Sequence, residues 1–335
     1  MAIISRTPVR ISFGGGGTDL ASYYEKYGGL VVSAAINKYF YTILELRDDD
    51  RIQLISSDLQ LSQTVKDFYD LKFGEGFDIP TAVIKHFNIQ RGMNLFLASE
   101  VPPGSGLGSS GALAVNTVNI LNHLERKGMT TQEIAETAYF IGFNDLNLSI
   151  GKQDEYSSAF GGINFIEFEK NNVKVEPLKL SNETRKRIEE DILLFFTGTT
   201  RESSKILTLQ NKSCKDDKKD VIESLHNIKK LGLEIKSEIE KGNLKHFGEL
   251  LHQSWINKKK LAEGITNERI DKAYSLALKN GAVGGKLTGA GGGGYLMLYC
   301  ELGKQKNVRK VLQDMGFKEL DFKFDMKGTT ILGEW

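Results

Sequence analysis

Three glycine clusters, at residues 14–17, 104–111 and 281–294, constrain this chain more than any other feature of its sequence. Glycine reaches backbone conformations closed to other residues and lets main-chain amides approach a ligand, so each cluster marks a turn or a close approach. The first follows a strand: Ile3 to Phe13 is apolar and β-branched, Gly14-Gly15-Gly16-Gly17-Thr18-Asp19 comes next, and Leu20 to Tyr27 has room for one or two helical turns. The second precedes a helix in which Ala112, Val115, Val118, Leu121 and Leu124 recur three residues apart. The third lies between strands predicted over Ala282 to Leu287 and Tyr295 to Cys300.

The same patterns predict strands at Leu30 to Ile36, Tyr39 to Leu46, Arg51 to Ser56, Met93 to Ser99, Gly161 to Glu169, Ile192 to Thr197 and near Thr330. Helices are predicted at Ile79 to Phe87, from the cap Thr130 to Ile141, at Asn267 to Asn280 and at Lys304 to Met315. Between about Glu202 and Ala262 the chain is charged and helical; Val221, Leu225, Ile228, Leu231, Ile235 and Ile239 form its apolar stripe, and the charges form a solvated face. The class is α+β. At 335 residues the chain exceeds one ordinary core, and the charged segment Asn171 to Glu190 suits a boundary, giving domains over 1–175 and 176–335.

With 44 basic and 43 acidic side chains the formal charge is +1, so no long-range field draws the chain to nucleic acid or to an anionic membrane. No apolar run approaches a membrane span, and Met1 to Phe13 lacks the apolar core and small cleavage-site residues of a secretory signal, which predicts a cytoplasmic protein. A monomer or a homodimer with a small-molecule partner satisfies this reading. Cys214 and Cys300 sit in no metal-ligand spacing, and no H-E-x-x-H pattern supports a zinc hydrolase.

Pro102-Pro103-Gly104-Ser105-Gly106-Leu107-Gly108-Ser109-Ser110-Gly111 joins permissive backbone to serine hydroxyls at a helix start, where the dipole favours negative charge. Alone, the segment reads equally as a phosphate cradle or as a glycine-rich turn with Ser109 as an N-cap. A Walker-type loop is excluded because no lysine follows the glycines. Gly106, Gly108 and Gly111 satisfy G-x-G-x-x-G, but the paired prolines and serines fit a dinucleotide turn poorly. Arg10 and Asp19 flank the first cluster, a cation suited to a phosphoryl group and a carboxylate suited to sugar hydroxyls; alone they read better as a surface ion pair. Asp154, opening a predicted helix, either caps it or orients and deprotonates a hydroxyl.

Pro102 to Ala112 resembles the P-x-x-x-G-L-G-S-S-[AG]-A loop of the GHMP kinases, the superfamily of galactokinase, homoserine kinase, mevalonate kinase and phosphomevalonate kinase. Pro8-Val9-Arg10 running into Gly14 to Asp19, and Gly285-Lys286-Leu287-Thr288-Gly289-Ala290-Gly291 to Gly294, match two further family motifs in order and spacing. The resemblance implies a ribosomal-protein-S5-like N-terminal mixed sheet with helices and a C-terminal ferredoxin-like α/β sandwich. It implies ATP held by Pro103, Gly104, Ser105, Gly106, Leu107, Gly108, Ser109 and Ser110, and Arg10 steadying the transferring phosphoryl group. Asp19 would grip a sugar, with Gly16, Gly17 and Thr18 beside it, and Asp154 would be the base.

Gly151-Lys152-Gln153-Asp154-Glu155-Tyr156 and Thr197-Gly198-Thr199-Thr200-Arg201 are similar to segments of the branch acting on D-glycero-D-manno-heptose 7-phosphate and on fucose. They add Lys152 and Arg201 as substrate contacts. The acceptor this implies is the anomeric hydroxyl of the heptose 7-phosphate, with a fucokinase-like enzyme, or an inactive sugar-binding regulator on the same fold, as the alternatives. Mg²⁺ is the implied metal. Ser110 offers one oxygen, but where the family commonly carries a glutamate this chain has Gly142 and Asn144, which leaves Asp145 as the nearest acid.

Overall fold

The computed structural model describes residues 1–200 and 203–335. Strand β1 (Ala2–Gly14) runs antiparallel to β2 (Gly29–Leu46). The second is a single long strand where two were predicted, because Asn37 and Lys38 carry the extended chain through a bulge opposite Pro8 and Val9. Its first part pairs with β6 (Ile163–Glu169) and its second with β5 (Met93–Ser99), so β2 is the spine of the sheet. Next to β5 lies β3 (Ile52–Ser56), parallel to it, followed by β4 (Leu61–Val65); β7 (Asn172–Pro177) pairs with β6. The closing strand β12 (Thr330–Glu334) returns to β1 and completes an eight-stranded mixed sheet.

Helices α1 (Ala21–Tyr27), α2 (Asp78–Phe87), α3 (Ser109–Leu124), α4 (Thr131–Phe140) and α5 (Gln153–Phe160) belong to this half. Helix α3, with Gly111, Ala112 and Ala114 all buried, packs on β1 and β2, and Gly111 lets it close on α5 at Asp154. A Thr130–Glu133 capping box starts α4, and a π-helical turn over Ile141–Asp145 ends it.

The second half is a four-stranded antiparallel sheet in the order β11 (Lys318–Glu319), β8 (Ile192–Phe196), β10 (Tyr295–Cys300), β9 (Ala282–Leu287). It carries α6 (Asn182–Asp191), α7 (Ser203–Lys215), α8 (Lys219–Glu240), α9 (Leu244–Lys258), α10 (Glu268–Lys279) and α11 (Gln305–Asp314). The charged segment expected as a boundary holds β7 and α6, and a cut at residue 175 divides β7 and separates β12 from the sheet it completes.

The two halves share a core. All six residues of the predicted α8 stripe are buried, each worth roughly 1.5–3 kcal/mol on removal from water. A Cβ on Gly14 would lie 3.0 Å from Ile235 and 3.1 Å from Gly232, so α8 rests directly on the end of β1. Phe13 meets Phe247 of α9 edge-on at 5.6 Å and Phe324 at 6.4 Å. The first glycine cluster is thereby fixed against the second half of the chain, and a cleft opens between them.

Candidate active site

The cleft is a cavity of about 610 Å³ into which all three glycine clusters contribute. In the second cluster Gly108, at φ 77°, is the residue that enters α3, so Ser109 is the first helical residue and, among the described residues, no side chain caps the helix. The first-turn amides of α3 and the positive end of its dipole are thus left for an anion. Support comes from the third cluster: Tyr295 N donates to Ser105 O (3.1 Å), and a Cβ on Gly289 would stand 2.5 Å from Gly106 Cα. Only two bare backbones pass each other at that spacing.

Arg10 projects from β1 beneath this loop. It is 3% exposed; its Nε donates to Asp154 Oδ1 at 2.8 Å, its Nη2 lies 2.7 Å from the same oxygen, and its Nη1 donates to Gly106 O at 2.6 Å. The Arg10 amide also donates to Leu107 O. Asp154 sits in the first turn of α5 with its Oδ2 turned toward Gly108, 3.3 Å from where a Cβ there would stand. Sequence separation is 144 residues between Arg10 and Asp154, yet sheet and helix packing bring them to one point.

Asp19 lies beside them. Its Oδ1 accepts from Gly17 N at 2.8 Å and its Oδ2 from Gln153 N at 3.3 Å. Burial raises its pKa above the usual carboxylate range, the backbone amide of Gly17 pulls it back, and the neighbouring Asp154 raises it again. Ser12 Oγ donates to Gln153 Oε1 at 2.7 Å and holds the start of α5 to β1.

Three ionisable groups in the cavity wall were not singled out from the sequence. Lys258 of α9, 8% exposed, donates to Leu287 O at 2.9 Å and to Gly289 O, and burial holds it well below the usual lysine range. Lys286 of β9, 3% exposed, is pushed down to about 7, first by burial and then by Arg10. Glu155 is pushed up to about 8, first by burial and then by Asp154, and its Oε2 is buried without a partner among the described residues. Lys286 lies inside the third glycine motif, the one available signal; Lys258 ends a charged helix and looks like any surface lysine.

Gly16, Gly17, Asp19, Pro103, Gly104, Gly106, Gly108, Ser109 and Ser110 line the cavity, with Arg10 and Asp154. Several expected contacts stand elsewhere. Thr18 is fully buried as a strut: its Oγ1 lies 2.8 Å from both Gly15 O and Leu30 O, between which its one proton is shared, and it accepts from Leu30 N, so its hydroxyl is spent within the fold. Ser105 and Leu107 are buried beneath the loop and contribute backbone alone. The Lys152 ammonium points away from the cavity and lies over the rings of Tyr24 (5.5 Å) and Tyr139 (5.2 Å), because its position just before α5 faces α1 and α4. Asp145, in the π-helical turn, pairs with His86 Nδ1 at 3.5 Å and is not in the cavity wall. Arg201 lies outside the described residues.

The family model for the N-terminal domain of GHMP kinases matches residues 78–162 and that for their C-terminal domain matches residues 235–318. The D-glycero-alpha-D-manno-heptose 7-phosphate kinase of Campylobacter jejuni is 33% identical over 333 residues, covering 97% of each chain. A crystal structure of a D-glycero-D-manno-heptose 1-phosphate kinase from Bacteroides thetaiotaomicron superposes with a TM-score of 0.82 at 28% identity, over 99% of both chains. The Lactococcus lactis galactokinase solved with galactose has the same fold, with a TM-score of 0.79 at 22% identity over 99% of this chain and 95% of its own.

Proposed function

This chain belongs to the GHMP kinases, and from that premise we propose that it moves the γ-phosphoryl group of ATP to the anomeric hydroxyl of D-glycero-α-D-manno-heptose 7-phosphate, giving the 1,7-bisphosphate for nucleotide-activated heptose synthesis. It is a sugar kinase, a phosphotransferase with an alcohol group as acceptor and ATP as donor. The sugar itself is taken from the Campylobacter relative, whose name specifies this acceptor. We place the reaction in the cytoplasm, in a monomer or homodimer; among the described residues no helix is long and apolar enough to cross a membrane.

The observation that carries the reading is the Arg10–Asp154 pair held under the uncapped end of α3. Both Arg10 contacts fall on Oδ1, which leaves Oδ2 facing the phosphate loop to receive the acceptor proton. As that proton moves to Asp154, the acceptor oxygen forms its bond to the γ-phosphorus. The bond to the β,γ-bridging oxygen breaks and ADP departs with the electron pair. Arg10 and the first-turn amides of α3 offset the charge on the phosphoryl oxygens, which is positioning and electrostatic work. Asp19, fixed by two backbone amides, orients the sugar hydroxyls.

Magnesium, when bound with ATP, neutralises charge across the phosphate oxygens. Ser110, exposed at the cavity edge in the first turn of α3, is the residue that would hold it. Among the described residues no group of three or more His, Cys, Asp or Glu is placed for a metal, which suits an ion held mainly by phosphate and water.

ADP release measured over a panel of sugars and sugar phosphates, fucose included, tests the reading. The heptose 7-phosphate should be preferred, and Asp154→Asn should lower turnover by about 10²–10⁴, the usual worth of a positioned base. Equal rates for Asp154→Asn and wild type would remove the assigned base, and a preference for unphosphorylated sugars would remove the assigned acceptor.

A further inference from the structure

We propose that Lys286 is a receptor for a phosphate oxygen in the cleft beside Arg10, and that binding of this anion is coupled to uptake of a proton by the Lys286 amine. The inference deepens the kinase reading above and rests on it.

Three other ionisable groups of the cleft are otherwise engaged. Arg10 on β1 holds Asp154 and Gly106 O; Asp19 in the following loop is bonded by backbone amides; Lys258 on α9 is spent on the carbonyls of Leu287 and Gly289. Lys286 lines the same cavity, 3% exposed, and no hydrogen bond or ion pair engages its ammonium among the described residues. A lysine in that position is costly when charged, since an ion removed from water without a partner loses several kcal/mol. An anionic ligand oxygen would supply the missing countercharge.

The electrostatics have a definite sign. Burial and Arg10 both oppose the charged form of Lys286, Asp19 favours it more weakly, and Lys286 in turn opposes the charge on Lys258. On α5, Asp154 is already paired with Arg10, and Glu155 is held toward its neutral form by burial. Burial and the Arg10 guanidinium therefore both favour the neutral Lys286 amine in the free cleft. A phosphate oxygen arriving beside the amine reverses the balance, because an opposite charge at contact distance favours the ammonium. Two substrates carry this chemistry, the γ-phosphate of ATP and the phosphate borne by the sugar.

Titration calorimetry at pH 7.5 in buffers of differing ionisation enthalpy reads the proton directly, with MgATP, the heptose 7-phosphate and inorganic phosphate each added alone. With the Lys286 amine near 7 in the free protein, binding should take up about three-quarters of a proton more in wild type than in Lys286→Met. Uptake with MgATP assigns the γ-phosphate as the partner, and uptake with the sugar phosphate assigns the acceptor's own. Lys286→Met should bind that ligand at least tenfold more weakly, Lys286→Arg should restore affinity without uptake, and Glu155→Gln should keep the uptake. Wild-type affinity and uptake in a folded Lys286→Met would overturn the proposal, as would uptake that vanishes in Glu155→Gln instead. These measurements need no turnover, so a failed acceptor panel and a failed Lys286 assignment are separately visible.

Discussion

Gly111→Ala is the substitution in which packing and catalysis separate most cleanly. Gly111 lies in the first turn of α3, where alanine is the better helix former by about 1 kcal/mol. Its added Cβ would stand 2.6 Å from Asp154 Cβ and 3.2 Å from Asp154 C. Carbon atoms rest at about 3.5–4.0 Å, so α3 and α5 must part by about 1 Å. Overpacking of this kind costs about 1–3 kcal/mol, which the helix preference partly offsets, and the fold should lose no more than about 2 kcal/mol. The active geometry has less tolerance: Arg10 holds Asp154 at 2.8 Å, and a misplacement of about 1 Å costs about 10² in rate. We expect turnover in a coupled ADP-release assay to fall about 100-fold while thermal unfolding shows a folded enzyme at the assay temperature. Turnover within threefold of wild type would refute the claim that contact between these helices sets the position of the base.

Lys286 and Glu155 should tilt stability against pH in opposite directions. Lys286 is near 7 when folded against 10.5 as a free lysine, so the unfolded chain binds more protons between those values and stability rises with pH across that window. Lys286→Met should flatten the rise in denaturant-melt midpoints. Glu155 is near 8 when folded against 4.5, so its contribution is present below about 4.5 and is lost as pH rises toward 8; Glu155→Gln should remove that fall. Asp145→Asn and Lys152→Met should each leave kcat and the magnesium dependence within about threefold, the range of a substitution outside the site, since neither side chain faces the cleft. A larger loss would restore them to the site.

The parts of the site legible in the sequence were those that need glycine. A backbone passing 2.5 Å from another backbone's would-be Cβ, as at Gly289 and Gly106, tolerates nothing else, so the clusters show as composition. The apolar stripe of α8 was equally plain, because a helix buried on one face writes its period into the chain. What escaped depends on direction. Thr18 and Asp19 are adjacent, yet one turns inward to Leu30 and the other into the cleft. Lys152 and Asp154 diverge in the same way about the start of α5. Lys258 looks like an ordinary lysine until tertiary packing buries it, and Lys286 is marked only by its place in the third glycine motif. The return of β12 to β1 is a pairing across more than 300 residues, with no local signal beyond a strand.

Phosphorus NMR of the product formed from ATP and D-glycero-α-D-manno-heptose 7-phosphate tests the central claim most directly. Wild type should give one new phosphoryl resonance coupled to the anomeric proton, growing in step with ADP and suppressed in Asp154→Asn. ADP formed without that resonance, or a phosphoryl group appearing on a non-anomeric oxygen, would contradict it.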